Sequence, residues 1–204
     1  MSFFRNNGLT IVLLGASVAT IIPMSLTGFL VFAEQAARHH AAGVTFIQYL
    51  SSGHFLSALF ENWESEFLQM SAYVCLTAYF FQRGSAESKD PDAPSDKRQR
   101  DRAHPLYAYS LGIVLATLFL ASFALHLVFS ARAAGEDALR HGGLPVRILE
   151  HVGDAEFWFE SFQNWQSEFL STMVLVVLSI FLRYRGSPES KPVNAPNSQT
   201  GTSD

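Results

Sequence analysis

Acidic and amide side chains recur inside apolar stretches of this chain, and their type and spacing could support proton or cation chemistry. Glu66 stands in Asn62-Trp63-Glu64-Ser65-Glu66-Phe67-Leu68, and Glu168 in Asn164-Trp165-Gln166-Ser167-Glu168-Phe169-Leu170. On a helix advancing about 100° per residue, Asn62, Gln69, Tyr73 and Thr77 fall within about 60° of Glu66. The second copy of this stripe reads Asn164, Glu168, Ser171, Leu175 and Ser179, and only Leu175 is apolar. Polar groups facing lipid are costly, so both stripes are expected to face a helix-bundle interior. Glu64 lies about 160° from Glu66 by the same helical arithmetic and reads as a headgroup-facing residue. The candidate polar intramembrane site is therefore Asn62, Glu66, Gln69, Tyr73, Asn164, Glu168 and Ser171, with Trp63 and Trp165 as interfacial anchors. Such a stripe can tie helices together by hydrogen bonds, or hold a proton, cation or small solute between two carboxylates.

Other chemistries find little support in the spacing of residues. His39, His40, His54, His126, His141 and His151 collect toward one end of the expected helices, but HExxH and CxxC spacings are absent. These histidines are expected to be interfacial or solvated, with no metal and no cofactor. Cys75 is the single cysteine, so disulfides cannot support the chain. Gly-rich phosphate loops, nucleophile elbows and triad-like arrangements are also missing, so an enzyme is not expected. The net charge of -4 is spread over loops and tails, unlike the basic face of a nucleic-acid binder. The expected surroundings are a lipid bilayer, and a homo-oligomer or membrane-protein partner stays open.

The elements that must position the stripe are membrane helices. Leu9 to Ala33 and Leu106 to Ala131 contain no Asp, Glu, Lys or Arg, and each exceeds the roughly 20 residues needed to cross a bilayer core. Pro23 predicts a kink in the first span. The apolar parts of the second and fourth spans, from Phe67 and from Phe169, cover only roughly 20 to 22 Å, so each must enter the membrane upstream, the second near Leu59. Glu34 with Arg38, and Glu136 with Arg140, are spaced for (i, i+4) ion pairs. Ser52 and Asp154 are placed to cap the second and fourth helices, and Gly84 and Gly186 to end them.

An offset of 102 residues aligns Leu9 with Leu111, Glu34 with Glu136, Asn62 with Asn164, and Arg83-Gly84-Ser85 with Arg185-Gly186-Ser187. The expected fold is thus all-α, an integral membrane four-helix bundle built from two tandem parallel repeats of two transmembrane helices each. Its segments are residues 1–83 and 105–185 as repeats, 84–104 as a flexible cytoplasmic linker and 186–204 as a disordered tail. Ten basic residues lie in the N-terminus, linker and tail, against Arg38, Arg132, Arg140 and Arg147 elsewhere, which predicts cytoplasmic termini.

At Ser52-Gly53-His54-Phe55, Phe60 to Gln69 and Arg83 to Lys89, the chain resembles a family of small bacterial membrane proteins of unknown function. The resemblance implies a multi-pass bacterial inner-membrane protein and brings no reaction, ligand or site with it. The function expected is a structural or accessory role in the envelope; the alternative is a small cation, proton or solute permease using Glu66 and Glu168.

Overall fold

The computed structural model describes residues 3–38, 43–92 and 104–201. Among them the chain is all-α: α1 (Phe3–Asn6), α2 (Gly8–Arg38), α3 (Phe46–Leu50), α4 (Gly53–Tyr79), α5 (Pro105–Ala108), α6 (Ser110–Arg140), α7 (Ile148–His151) and α8 (Ala155–Phe181). Each helix from α5 to α8 begins 102 residues after its counterpart from α1 to α4. Two of them, α2 and α6, are long and apolar enough to cross a membrane. The α2 helix runs unbroken through Pro23, where the sequence predicts a kink. The chain divides into two compact units, Met1–Leu59 with His126–Gly153, and Phe60–Leu125 with Asp154–Asp204.

In the first unit, a small aromatic core holds α3 against α2. Thr45 and Gln48 form a capping box that starts α3, which satisfies two otherwise orphan donors. Tyr49 then packs among Phe29, Phe32 and Phe55, with ring centroids 5.3 to 6.0 Å apart. Gly28 is required here, because a Cβ at this position would collide with the Tyr49 hydroxyl.

Ser52 caps α4, its Oγ accepting from Phe55 N at 3.3 Å, and Asp154 caps α8 by accepting from Glu156 N at 3.2 Å. The adjacent Gly53 lies so close to the Ala133 backbone that a side chain there would clash. Arg140 pairs with Asp137 at 3.1 Å, and Glu136 pairs with Arg132 at 2.8 Å, which corrects the expected Glu136 to Arg140 pairing. The reason is competition: Asp137, three residues from Arg140, and Arg132, four from Glu136, offer alternative partners on the same helix. The Glu34 to Arg38 pair forms as spaced, at 2.6 Å.

In the second unit, Phe157 is fully buried and packs on Phe123 and Trp158. Trp165 joins this cluster through Phe119, Phe123 and Phe162.

The two Arg-Gly-Ser loops that follow α4 and α8 share one local fold. Gly84 and Gly186 take φ values of 83° and 84°, the left-handed region where glycine avoids a Cβ penalty. Gln82 N donates to Ser88 Oγ and Tyr184 N donates to Ser190 Oγ, both at 2.8 Å. Ser85 Oγ accepts from Glu87 N at 3.1 Å, and Ser187 Oγ accepts from Glu189 N at 3.2 Å.

Composition predicts a disordered tail, yet residues 186–201 form hydrogen-bonded turns. Lys191, 1% exposed, is the centre of this arrangement. Its ammonium donates to the carbonyls of Gly84, Pro196, Asn197 and Gln199. Thr200 Oγ1 accepts from Gly84 N at 2.9 Å, and Gly201 N donates to Ser85 O at 2.9 Å. These partners are backbone groups, which composition cannot reveal. Of the expected linker, residues 84–92 form turns closed by an Arg83 to Asp92 ion pair at 2.7 Å, and residues 93–103 lie outside the described residues.

Candidate polar site between the second and fourth long helices

Within the second unit, α4 and α8 are joined by a ladder of side-chain hydrogen bonds. Asn164 donates its amide to the Glu61 carboxylate. One turn further, Trp165 Nε1 donates to Glu64 Oε1 at 3.0 Å. Gln69 Nε2 donates to Thr172 Oγ1 at 2.7 Å and reaches Glu168 O at 3.5 Å. At the far end, Ser85 and Ser179 share a hydrogen bond of 2.9 Å, and Ser179 Oγ also accepts from Ala86 N at 3.1 Å.

The expected site residues divide in two. Gln69, Tyr73, Asn164 and Glu168 are half-buried, whereas Asn62, Glu66 and Ser171 are exposed. Tyr73 turns toward the end of α4, donating its hydroxyl to Glu87 Oε2 at 2.9 Å. Ser171 bonds only within α8, to Glu168 O at 2.9 Å. Trp63, 42% exposed, retains the exposure of an anchor, while Trp165 is half-buried and bound to Glu64.

Glu64 is the main correction. Expected at the headgroups, it is 0% exposed and Ser65 beside it is 3% exposed. Ser65 and Glu64 lie about 100° and 160° from Glu66, so the buried face of α4 is nearly opposite the face centred on Glu66. Centring on the glutamate common to both copies favoured Glu66, because Gln166 stands where Glu64 would recur. The partner of Glu64 is Trp165, which occupies a different position in the repeat and so escapes alignment of the two copies.

Glu61, Glu160 and Thr172 were missed in the same way. Carboxylate oxygens of Glu61 and Glu160 lie within 4.8 Å of each other, and Asn164 also reaches Glu160 O at 3.4 Å. Two carboxylates and an amide form an oxygen-rich set suited to a proton or a hard cation.

Beside Tyr73, a cavity of about 300 Å3 is lined by Thr77, Phe80, Glu87, Phe169 and Met173. Burial raises the pKa of Glu87 above its ordinary 4.5; the Tyr73 hydrogen bond opposes that rise and the neighbouring Glu189 carboxyl adds to it.

The histidines also depart from expectation. His126 and His151 are buried; His151 Nε2 shares a 2.8 Å bond with Ser130 Oγ. His54 stacks on Phe32 at 5.2 Å and faces Asp137 Oδ1 at 3.3 Å. Arg140 covers the same Phe32 ring at 4.8 Å, a cation–π contact. His54 stands at the start of α4 and His151 at the end of α7, where a carboxylate and a hydroxyl respectively neighbour a ring nitrogen, whereas His126 lies in the middle of α6. His141 is exposed, and His39 and His40 lie outside the described residues.

The family described as Domain of unknown function (DUF6766) matches residues 1–202. No curated protein and no solved structure matches the chain.

Proposed function

Because the chain belongs to that family of unknown function, we propose a role from its physical properties: a multi-pass membrane protein of the bacterial inner membrane, non-catalytic, acting as a structural or accessory envelope component. The observation that carries this reading is the exposure of α2. Only 6% of its most apolar window is buried, and Leu9, Leu13, Leu14 and Leu30 are 59% to 74% exposed. A soluble core helix would bury that surface, whereas a lipid-facing helix leaves it to the acyl chains.

In this reading α4 and α8 complete a four-span bundle. Each has 27 residues, about 40 Å of helix, which exceeds a bilayer core of about 30 Å. The matched helix boundaries and matched loops support two tandem parallel repeats arising by duplication, and the distribution of basic residues supports cytoplasmic termini. The α4 to α8 ladder then supplies interhelical hydrogen bonds inside the membrane.

A second reading, a proton or cation permease, is favoured by one observation. Acids meet across α4 and α8, Glu61 lying beside Glu160. Ion flux into liposomes holding the purified protein separates the two. The accessory role expects flux equal to that of empty liposomes; flux lost in Glu66→Gln or Glu61→Gln while the fold survives would replace it with the permease.

A further inference from the structure

The cavity beside Tyr73 joins two surfaces of different chemistry. Phe80, Phe169 and Met173 supply aromatic and aliphatic walls, whereas Thr77 and Glu87 supply polar groups. Its volume of about 300 Å3 reaches the lower end of small-molecule sites, which span roughly 300 to 1,000 Å3. The whole lining belongs to the second unit.

The polar groups of this cavity are acidic and lack a basic partner. Glu87 Oε2 accepts from the Tyr73 hydroxyl at 2.9 Å, whereas Oε1 is buried and meets no donor among the described residues. Tyr73 from α4 and Glu189 from the loop after α8 are the titratable groups that face Glu87. No Lys or Arg stands among the described residues that line the cavity. Two neighbouring carboxyls without a basic partner call for a proton or for a cation. A hard metal ion would need six or more oxygen ligands, and the rings and aliphatic groups of these walls suit an organic cation instead. A zwitterionic lipid headgroup fits poorly, because its phosphate would find no positive partner in the lining.

We propose that this cavity binds a small amphiphilic amine in its protonated form, with the ammonium against Glu87 and the apolar body between Phe80, Phe169 and Met173. The site goes beyond the accessory role and uses none of the acids of the permease reading. Burial and Glu189 hold Glu87 above its ordinary pKa, so the empty cavity keeps its charge low by binding a proton. On binding, the Glu87 O–H gives that proton to the buffer, and an ammonium N–H donates to the carboxylate in its place. Proton and amine compete for one group, and amine affinity should fall about tenfold per pH unit below the raised pKa of Glu87.

The test is calorimetry of the full chain in lipid nanodiscs, with phenethylamine compared against the neutral phenethyl alcohol and empty nanodiscs as the baseline for partitioning. One amine per chain is expected, bound about tenfold more tightly than the alcohol. Below the raised pKa of Glu87, binding should release a proton, read from titrations in buffers of different ionisation heat. Glu87→Gln should weaken the amine about tenfold and abolish proton release while leaving the alcohol unchanged. Amine and alcohol are compared on the unaltered chain, so misfolding of a variant cannot imitate the result. Equal affinity for the two probes, binding without proton release, or full amine affinity in Glu87→Gln would overturn the proposal. Amine binding that appears only after Lys97, Arg98, Arg100 and Arg102 are replaced by serine would also overturn it, by assigning the site to the chain's own cations.

Discussion

Glu64 and Trp165 illustrate how a single hydrogen bond can be tested as a residue-scale claim. With Glu64 0% exposed and the indole 3.0 Å from its carboxylate, the pair should show a coupling of about 0.6 to 1.7 kcal/mol in a double-mutant cycle. Glu64→Leu and Trp165→Phe supply the single changes, and unfolding in mixed micelles measures them. Zero coupling would return Glu64 to the headgroup layer. Gly53→Ala belongs to the same scale: its methyl group would press on the Ala133 backbone, at a cost of about 1 to 3 kcal/mol in the same assay. Much of the site's composition was legible, since Gln69, Tyr73, Asn164 and Glu168 do lie on partly buried faces. Its rotation was not. Helical periodicity groups residues onto one face, but the direction of that face depends on its contact partner, and an indole hydrogen bond leaves no periodic trace.

The loops after α4 and α8 carry the element-scale expectations. Burial lifts the folded-state pKa of Glu87 above 4.5, so the folded loop binds the proton more tightly than the unfolded chain. Its contribution to stability is therefore complete below pH 4.5 and is lost as pH rises through the raised value. Protection factors of the Ser85 and Ala86 amides, taken relative to their intrinsic exchange at each pH, should fall over that window, and Glu87→Gln should remove the dependence. A flat profile in the unaltered chain would contradict the burial of Glu87. Lys191→Met tests the tail. Loss of the ammonium leaves the carbonyls of Gly84, Asn197 and Gln199 without this donor, while Pro196 O keeps Gln199 N, and an unsatisfied buried group costs about 1 to 3 kcal/mol. Protease cleavage within residues 192–201 should become much faster. The low apolar content of this tail suggested disorder; a lysine chelated by main-chain oxygens has no signature in composition, whereas the glycines at 84 and 186 were readable as helix stops because a positive φ nearly demands them.

At the scale of the whole molecule, the distribution of basic residues carries the topological expectation. Fluorescent-protein fusions at Asp96 and after Asp204 should be bright, while alkaline-phosphatase fusions at Ala42 and Gly143 should be active. The reverse pattern would invert the proposed orientation. The two long apolar helices were evident from hydropathy. The starts of α4 and α8 at Gly53 and Ala155 were legible from the capping residues Ser52 and Asp154, although hydropathy alone misses them, because polar residues that find partners on a neighbouring helix need not be excluded from it.

The clasp between Gly84 and Thr200 also has a timetable. Its partners are 116 residues apart, and at a synthesis rate of about 5 to 20 residues per second the first waits roughly 6 to 23 s for the second. Throughout that interval water must serve the Gly84 amide, and the loop stays hydrated while the chain behind it is still being synthesised. Closure of the clasp is therefore a late event on the ribosome's clock, and a nascent chain stalled before Thr200 would expose the Gly84 loop to proteases that cannot reach it in the finished molecule.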